Sequence, residues 1–331
     1  MGGKIAEVTA GAKLVFGWYK TFACGGMRVS ALSYKAGAGG YAAEAFNAEG
    51  ARMDNIFLLV ETFSPEQHAL IKKELSGAPK SVAELFIAGD TTSTLDLAWK
   101  LFEMERLPEW GAAIALVQSA GRGQFRREWV SPQGNLHVSF RLPESGIFES
   151  SAATVILGLL FCEAFDSLGL KLSLKWPNDL VLEGPDGPGK LGGILLEEKN
   201  GILLAGVGIN VTHIPGSDGI RPGSALPSVF LPENFAFRTP IRLWLTLVHS
   251  LIMRYNDAFM ANSRSAFLRR AEERLLWRGR EVLVSGESGS DEPVYGTVTG
   301  LSDEGGLVLL TRGANGVPIS REITSGSIAG V

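Results

Sequence analysis

Apolar and polar positions change rhythm twice along the chain, dividing it into three stretches. In residues 1–84 the clearest apolar run is Ile56-Phe57-Leu58-Leu59-Val60, which reads as a buried strand. Ser64-Pro65-Glu66-Gln67 follows it, with a hydroxyl N-cap, a proline at the first helical position and a capping-box glutamine. The spacing predicts a helix to about Leu75 that stops at Gly77. Glycine and alanine dominate much of the remainder, as in Gly37-Ala38-Gly39-Gly40-Tyr41-Ala42-Ala43, which reads as a flexible loop rather than a phosphate-binding turn. A small α/β segment without a chemical motif is expected here.

The second stretch, 85–272, alternates strand and helix patterns. Short strands are expected at Leu85–Ala88, Ala112–Val117, Leu136–Phe140, Leu172–Trp176, Asp179–Leu182, Gly192–Glu197 and Ile202–Val211. Helical periodicity covers Thr94–Arg106, Ala152–Leu168, Arg242–Ala258 and Ala266–Leu275. Clustered strands with interspersed helices predict an α+β fold. The third stretch, 276–331, has four short strands, Glu281–Val284, Tyr295–Val298, Gly306–Leu310 and Ile319–Ile323. Gly, Ser and Asp turns separate them, and a small β-barrel is expected.

Composition narrows the function classes. The chain has 331 residues, 45% hydrophobic and 20% charged, which fits a globular protein of two or three domains. A net charge of −4 argues against a large basic surface for nucleic acid. Two cysteines, Cys24 and Cys162, build neither a disulfide framework nor a zinc site. The four histidines include no pair at metal-ligand spacing. The longest apolar stretch, Ala153 to Cys162, is too short to span a bilayer. No apolar run marks a secretory signal near the start, and Ala6 spoils a myristoylation pattern at Met1-Gly2. A cytoplasmic protein is expected.

Three patches combine residues suited to chemistry. Gln118-Ser119-Ala120-Gly121-Arg122-Gly123-Gln124-Phe125-Arg126-Arg127-Glu128-Trp129 joins permissive glycines to three arginines and an aromatic ring. Glycines let backbone N–H groups approach an anion, arginines grip carboxylate or phosphate, and tryptophan covers a planar base. By itself the patch could equally be an Arg-rich surface loop. Lys175-Trp176-Pro177-Asn178-Asp179-Leu180 reads as a tight turn between strands. It is either a plain hairpin turn or one that brings an amide and a carboxylate to a site mouth, where Asp179 could hold Mg²⁺ beside a triphosphate. In Gly189-Lys190-Leu191-Gly192-Gly193-Ile194-Leu195-Leu196-Glu197, Gly192 and Gly193 leave space for a ligand beside Lys190. Gly206-Val207-Gly208-Ile209-Asn210 then offers an amide, on Asn210, with the bonding groups to read an adenine edge.

The order and spacing of these patches, with Thr92-Ser93-Thr94 upstream, resemble the biotin–protein ligase family. That family's pattern runs Ser-Thr-Asn, Gln-x-Ala-Gly-Arg-Gly-Arg-x-Gly-Arg-x-Trp, Lys-Trp-Pro-Asn-Asp, Lys-Leu-x-Gly-Ile-Leu-x-Glu and Gly-x-Gly-x-Asn. The resemblance covers 85–272 and implies a biotin/lipoate-ligase-like catalytic domain of mixed sheet and helices. The stretch 276–331 resembles the family's SH3-like C-terminal domain. The implied activity is ATP-dependent formation of biotinoyl-5′-AMP, then transfer of biotin to a lysine of a biotin carboxyl carrier domain. Biotin, ATP and Mg²⁺ are implied, with Asp179 as the metal ligand. Ser93, Thr94, Gln118, Arg122, Gly123, Gln124, Lys190, Gly192 and Gly193 would face biotin. Arg126, Arg127, Trp129, Asn178, Asp179 and Asn210 would face ATP. Arg122, Lys190 and Asp179 would be catalytic.

Three departures stand out. Leu95 replaces the asparagine of Ser-Thr-Asn, Gln124 replaces the second arginine, and Arg126 replaces a glycine. If the loop is extended, residues two apart share a side, and Arg126 would supply the charge that Gln124 lacks. A biotin-binding regulatory protein with weakened adenylation, and a ligase for another acyl acid such as lipoate, are the alternative readings. Residues 1–84 carry nine Lys/Arg against eight Asp/Glu and show no basic recognition helix, so no DNA binding is expected. Whether edge strands pair the chain into a homodimer is left open.

Overall fold

A computed structural model describes residues 17–24, 27–34, 42–46, 52–59, 63–76, 78–144, 146–148, 151–214, 226–260, 264–286, 292–313 and 315–331. Val60, Gly77 and most of the Gly37–Ala43 stretch lie outside the described residues. The chain begins with β1 (Gly17–Cys24), β2 (Met27–Tyr34), β3 (Ala42–Phe46) and β4 (Arg52–Leu58), paired in antiparallel succession. Helix α1 (Pro65–Leu75) follows, and its capping box forms as the sequence predicts. The Ser64 side chain accepts from the Gln67 backbone N–H while the Gln67 side chain accepts from that of Ser64. Such a cap contributes about 1 kcal/mol.

The middle of the chain supplies β5 (Leu85–Thr91), α2 (Thr94–Glu103), β6 (Ala112–Gln118), β7 (Leu136–Arg141) and α3 (Ala153–Asp166). Then come β8 (Leu172–Lys175), β9 (Asp179–Gly184), β10 (Gly187–Lys199), β11 (Ile202–Ile209), α4 (Pro240–Met260) and α5 (Arg264–Glu272). All these strands join one mixed sheet of 11, ordered β1-β2-β3-β4-β5-β6-β7-β11-β10-β9-β8. Strands β4, β5 and β6 are parallel to one another, and the other pairings are antiparallel. Asn200-Gly201 closes the β10–β11 hairpin with φ of 53° and 80°. Two successive positive φ angles are what a two-residue turn needs to match strand twist.

The sheet has different cover on its two faces. Leu136, Val138 and Phe140 of β7 point into the larger core, which α1, α3 and α4 complete. Helix α3 is apolar on most sides and buried apart from Thr154, Glu163 and Asp166. On the opposite face, α2 lays Leu95, Ala98, Trp99 and Leu101 against Ala113, Ala115 and Leu204. His137 and Ser139 alternate onto that second face, beside the site.

The C-terminal strands are β12 (Glu281–Ser285), β13 (Val294–Leu301), β14 (Leu307–Arg312), β15 (Pro318–Ile323) and β16 (Ser327–Gly330). They form an antiparallel sheet of five, ordered β15-β14-β13-β12-β16. No pairing among the described residues closes the expected barrel. Val282, Val284, Val298, Leu307, Leu309 and Ile328 join this sheet to the larger core.

Candidate active site

A cavity of about 260 Å³ lies where the start of α2, the Gln118–Ser131 loop, the β8–β9 turn, β10 and β11 converge. Gly326 and Ser327 of the C-terminal sheet also line it. One end carries a directed chain of neutral hydrogen bonds. Ser139 donates to the Thr94 hydroxyl at 2.8 Å, and that hydroxyl donates to Gln118 Oε1 at 3.0 Å. Gln118 Nε2 donates to Ser131 Oγ at 2.7 Å, and Ser131 Oγ donates to the Trp129 carbonyl at 3.0 Å. The Thr94 backbone N–H also donates to Gln118 Oε1, while Ser93 caps α2 through the Leu95 N–H.

The other end is charged. Strand β10 pairs Lys190 with Val181 but Gly193 with Asp179, and the register shift between them leaves one extra residue, Leu191. A β-bulge of this kind re-aims a side chain. Lys190 and Gly193, three apart, thereby come to one side: a Cβ on Gly193 would lie 3.5 Å from Lys190 Nζ. Lys190 Nζ pairs with Asp179 Oδ1 at 2.6 Å, and Lys175 Nζ with Asp179 Oδ2 at 3.1 Å. Burial works to raise the Asp179 carboxyl, but the two ammonium groups outweigh it and hold it below its ordinary value. Asn210 fixes the bulge from behind, its amide donating to the carbonyls of Val229 and Lys190. Asn178 donates to the Ile194 carbonyl at 2.8 Å.

The Gly-Arg loop covers the cavity. Gly123 N–H donates to Arg127 O and Trp129 N–H to Gly121 O. Arg122 reaches back to Asp96 at 2.7 Å and to Glu197 at 2.9 Å. Burial opposes the Arg122 charge, yet the two carboxylates raise its pKa further above an already high value. The Trp129 indole lies on the β-sheet where side chains are missing. A Cβ on Gly208 would sit 2.4–2.5 Å from three of its ring atoms, and one on Gly193 3.4 Å from a fourth. Its buried Nε1–H has no hydrogen-bond partner among the described residues, and Lys190 Nζ stands 5.4 Å from the ring centroid.

A neutral hydroxyl–amide chain, a buried cation–carboxylate cluster and an aromatic ring in one cleft suit a ligand with a polar uncharged head, an anionic centre and a planar base. Known proteins point the same way. The family model for the biotin/lipoate A/B protein ligase family matches residues 87–213. The biotin–[acetyl-CoA-carboxylase] ligase of Paracoccus denitrificans is 31% identical over 212 residues, spanning 59% of this chain and 82% of that protein. The chain belongs to the biotin–protein ligase family. The biotin protein ligase from Aquifex aeolicus, solved in complex with biotin and ATP, superposes with TM-score 0.59 at 28% identity. That match covers 74% of this chain and 97% of that one. The bifunctional ligase/repressor BirA of Escherichia coli is 37% identical over 139 residues, 40% of each chain.

In this ligase-family chain the expected site residues assemble, several with employment other than the sequence predicts. Ser93, Thr94, Gln118, Arg122, Gly123, Gln124, Arg127, Trp129, Asn178, Asp179, Lys190, Gly193 and Asn210 all line the cavity. Gly192 instead abuts the Gly208 carbonyl, where a Cβ would come within 2.5 Å. The space above Gly193 and Gly208 is taken by Trp129, and that above Gly206 by Leu95, not left open for a ligand. Asn210 spends its amide N–H groups on Lys190 and Val229, so it braces the bulge rather than presenting donors to an adenine. The extended loop assumed for Arg126 is absent: Gln124–Arg126 is a 3-10 turn with Phe125 at φ 56°. The premise for Arg126 therefore does not hold, and where its side chain lies is outside the described residues.

Asp179 does not fit as a metal ligand of the chain, because each of its oxygens faces a lysine. No group of three His, Cys, Asp or Glu side chains gathers anywhere among the described residues. Sequence reasoning missed Lys175, Asp96, Glu197, Ser131 and Ser139. Glu197 had a signal, since it closes the Lys-Leu-x-Gly-Ile-Leu-x-Glu pattern. Lys175 had one too, opening the Lys-Trp-Pro-Asn-Asp pattern four residues before its partner Asp179, whereas Asp96, Ser131 and Ser139 take their parts through partners 26, 13 and 45 residues away.

Proposed function

We propose that this chain ligates biotin to a lysine of a biotin carboxyl carrier domain, with ATP as co-substrate. In the first step a biotin carboxylate oxygen attacks the α-phosphorus, the bond to the β,γ-phosphates breaks, and biotinoyl-5′-AMP and pyrophosphate form. In the second, the carrier amine attacks the acyl carbon, loses a proton, and AMP leaves. The observation that carries this reading is Lys190 Nζ, poised at Asp179 under Trp129 and next to the Thr94–Gln118 chain. A carboxylate approaching a phosphate meets like charge, and a pre-positioned ammonium lowers that barrier. Lys190 is that group, with Asp179 holding it in place. Arg122 adds a second cation once an anionic ligand competes with Asp96 and Glu197. The Thr94, Gln118 and Ser131 groups supply neutral donors and acceptors for a ureido ring. The loop from Gly121 to Trp129 shields the anhydride from water. Mg²⁺ supplies charge neutralisation to the phosphates when bound, and no step here runs through a metal held by the chain.

The same reading makes the five C-terminal strands an SH3-like module, residues 85–272 the catalytic domain and the chain a cytoplasmic enzyme. Biotin-dependent ATP–pyrophosphate exchange tests it, with streptavidin blotting of an added carrier domain. Exchange and a labelled carrier are expected. Lys190→Met is expected to lower exchange by about 10²–10³-fold. Biotin binding by calorimetry without exchange would sink the ligase reading in favour of a binding protein.

A further inference from the structure

The Lys175–Asp179 turn carries the groups that hold Lys190, and the catalytic sheet does not seat it alone. Trp176, in that turn, is 3% exposed. Its Nε1–H donates to the carbonyl of Gly305 at 2.9 Å, across 129 residues of chain. Gly305 belongs to the turn between β13 and β14. That turn is itself fastened to the catalytic part. The Glu304 carbonyl accepts from Ser151 Oγ at 2.5 Å, and its carboxylate pairs with Arg264 at 3.0 Å. Gly305 has φ 78°, and a Cβ there would lie 2.6 Å from Cα of Ala152, so a side chain fits neither the backbone nor the space. Just before Trp176, the Leu174 N–H donates to Arg274 O and the Leu276 N–H to Leu174 O, each at 2.7 Å. The segment entering β12 therefore grips β8, while the β13–β14 turn grips Trp176.

We infer that Trp176 is a positioning residue for adenylation, fixing through Gly305 the seat of Asp179 and hence of Lys190. This rests on the ligase reading above. A phenylalanine would fill the same apolar space, whereas an indole N–H adds a directional constraint that a ring alone lacks. The described hydrogen bonds of Thr94, Gln118 and Ser131 include none to the C-terminal sheet. Disturbing the Trp176–Gly305 bond therefore loads the phosphate-facing end of the cavity and spares the neutral end.

The test uses the full chain with Trp176→Phe, which keeps the buried ring and removes the donor. ATP and biotin affinities are measured by calorimetry, with exchange kinetics beside them. ATP affinity and the exchange KM for ATP are expected to weaken by about 5–10-fold, the worth of one hydrogen bond. Biotin affinity is expected to change by less than about twofold on the same argument. Ser151→Ala, which loosens the same turn from outside the cavity, is expected to repeat the pattern more weakly, and it decides alone if Trp176→Phe does not fold. Unchanged ATP affinity overturns the inference, and so does equal loss of ATP and biotin affinity. A wild-type chain without exchange would defeat the ligase reading instead, and the ATP affinities of the variants would still decide the role of Trp176.

Discussion

A buried histidine next to the site shows how one residue sets a pH response. His137 Nε2 faces the Pro132 carbonyl at 3.2 Å, so that nitrogen carries the proton of the neutral ring. Nδ1 is buried with no partner among the described residues. Charging the ring would place a second proton there without an acceptor, and burial lowers the pKa to about 4. Between pH 6.5 and about 4 the unfolded chain binds this proton and the folded chain does not. Stability is therefore complete above the unfolded value and falls as pH drops through that window, by about 3 kcal/mol in all. Urea unfolding at pH 7 and pH 4.5 checks it. His137→Gln, which keeps a donor for Pro132 and cannot titrate, is expected to flatten the loss. Lys190 and Trp129, singled out from the motifs alone, both line the cavity. Asn210 was legible as part of a motif but not in its role, because Val229, whose carbonyl it holds, follows 19 residues later.

At the scale of elements, the Gly-Arg loop is pinned by charges from two other elements, Asp96 of α2 and Glu197 of β10. These bonds are partly exposed, so each contributes modestly to overall stability. Their effect is on the loop, whose opening costs whatever ties it down. Glu197→Gln is expected to speed tryptic cleavage after Arg122, Arg126 and Arg127 by about 3–10-fold with global stability little changed. Biotin with ATP is expected to slow it again. Mass spectrometry of the early fragments reads both effects. The strands of the middle stretch follow their sequence patterns closely. Strands β1 to β3 went unread although the sequence carries signals for them: Met27, Val29 and Ala31 alternate with Arg28 and Ser30, and a Gly-Gly dipeptide stands in the sequence between Cys24 and Met27. Strand β16 is only Ser327–Gly330 and owes its form to pairing with β12.

Across the whole molecule, the β-sheet is continuous from β1 to β8, so the first strands extend the layer that holds the site. The sequence suggested a separate small segment there, since nothing local announces that β4 runs parallel to β5. Charge is easier to read at this scale than topology. A net charge of −4, with near-neutral residues 1–84, leaves little counterion release to drive DNA binding. No retardation of duplex DNA is expected in a gel shift at about 0.1 M salt. A specific, competable shift would overturn that expectation. The C-terminal sheet was legible as strands, whereas its grip on Trp176 depends on one carbonyl in a turn that carries no motif.

The extra residue in β10 decides what lies behind the cleft as well as what faces it. In an unbroken strand Lys190 and Gly193 would face opposite sides, and the bulge at Leu191 gives them one side. Removing Leu191 would leave Lys190 and Gly193 two apart, which in a regular strand is still one side. What would go is the fully buried Leu191 side chain and the carbonyl that accepts from the Asn210 backbone N–H, so the loss would fall on the packing behind the ammonium rather than on its phase.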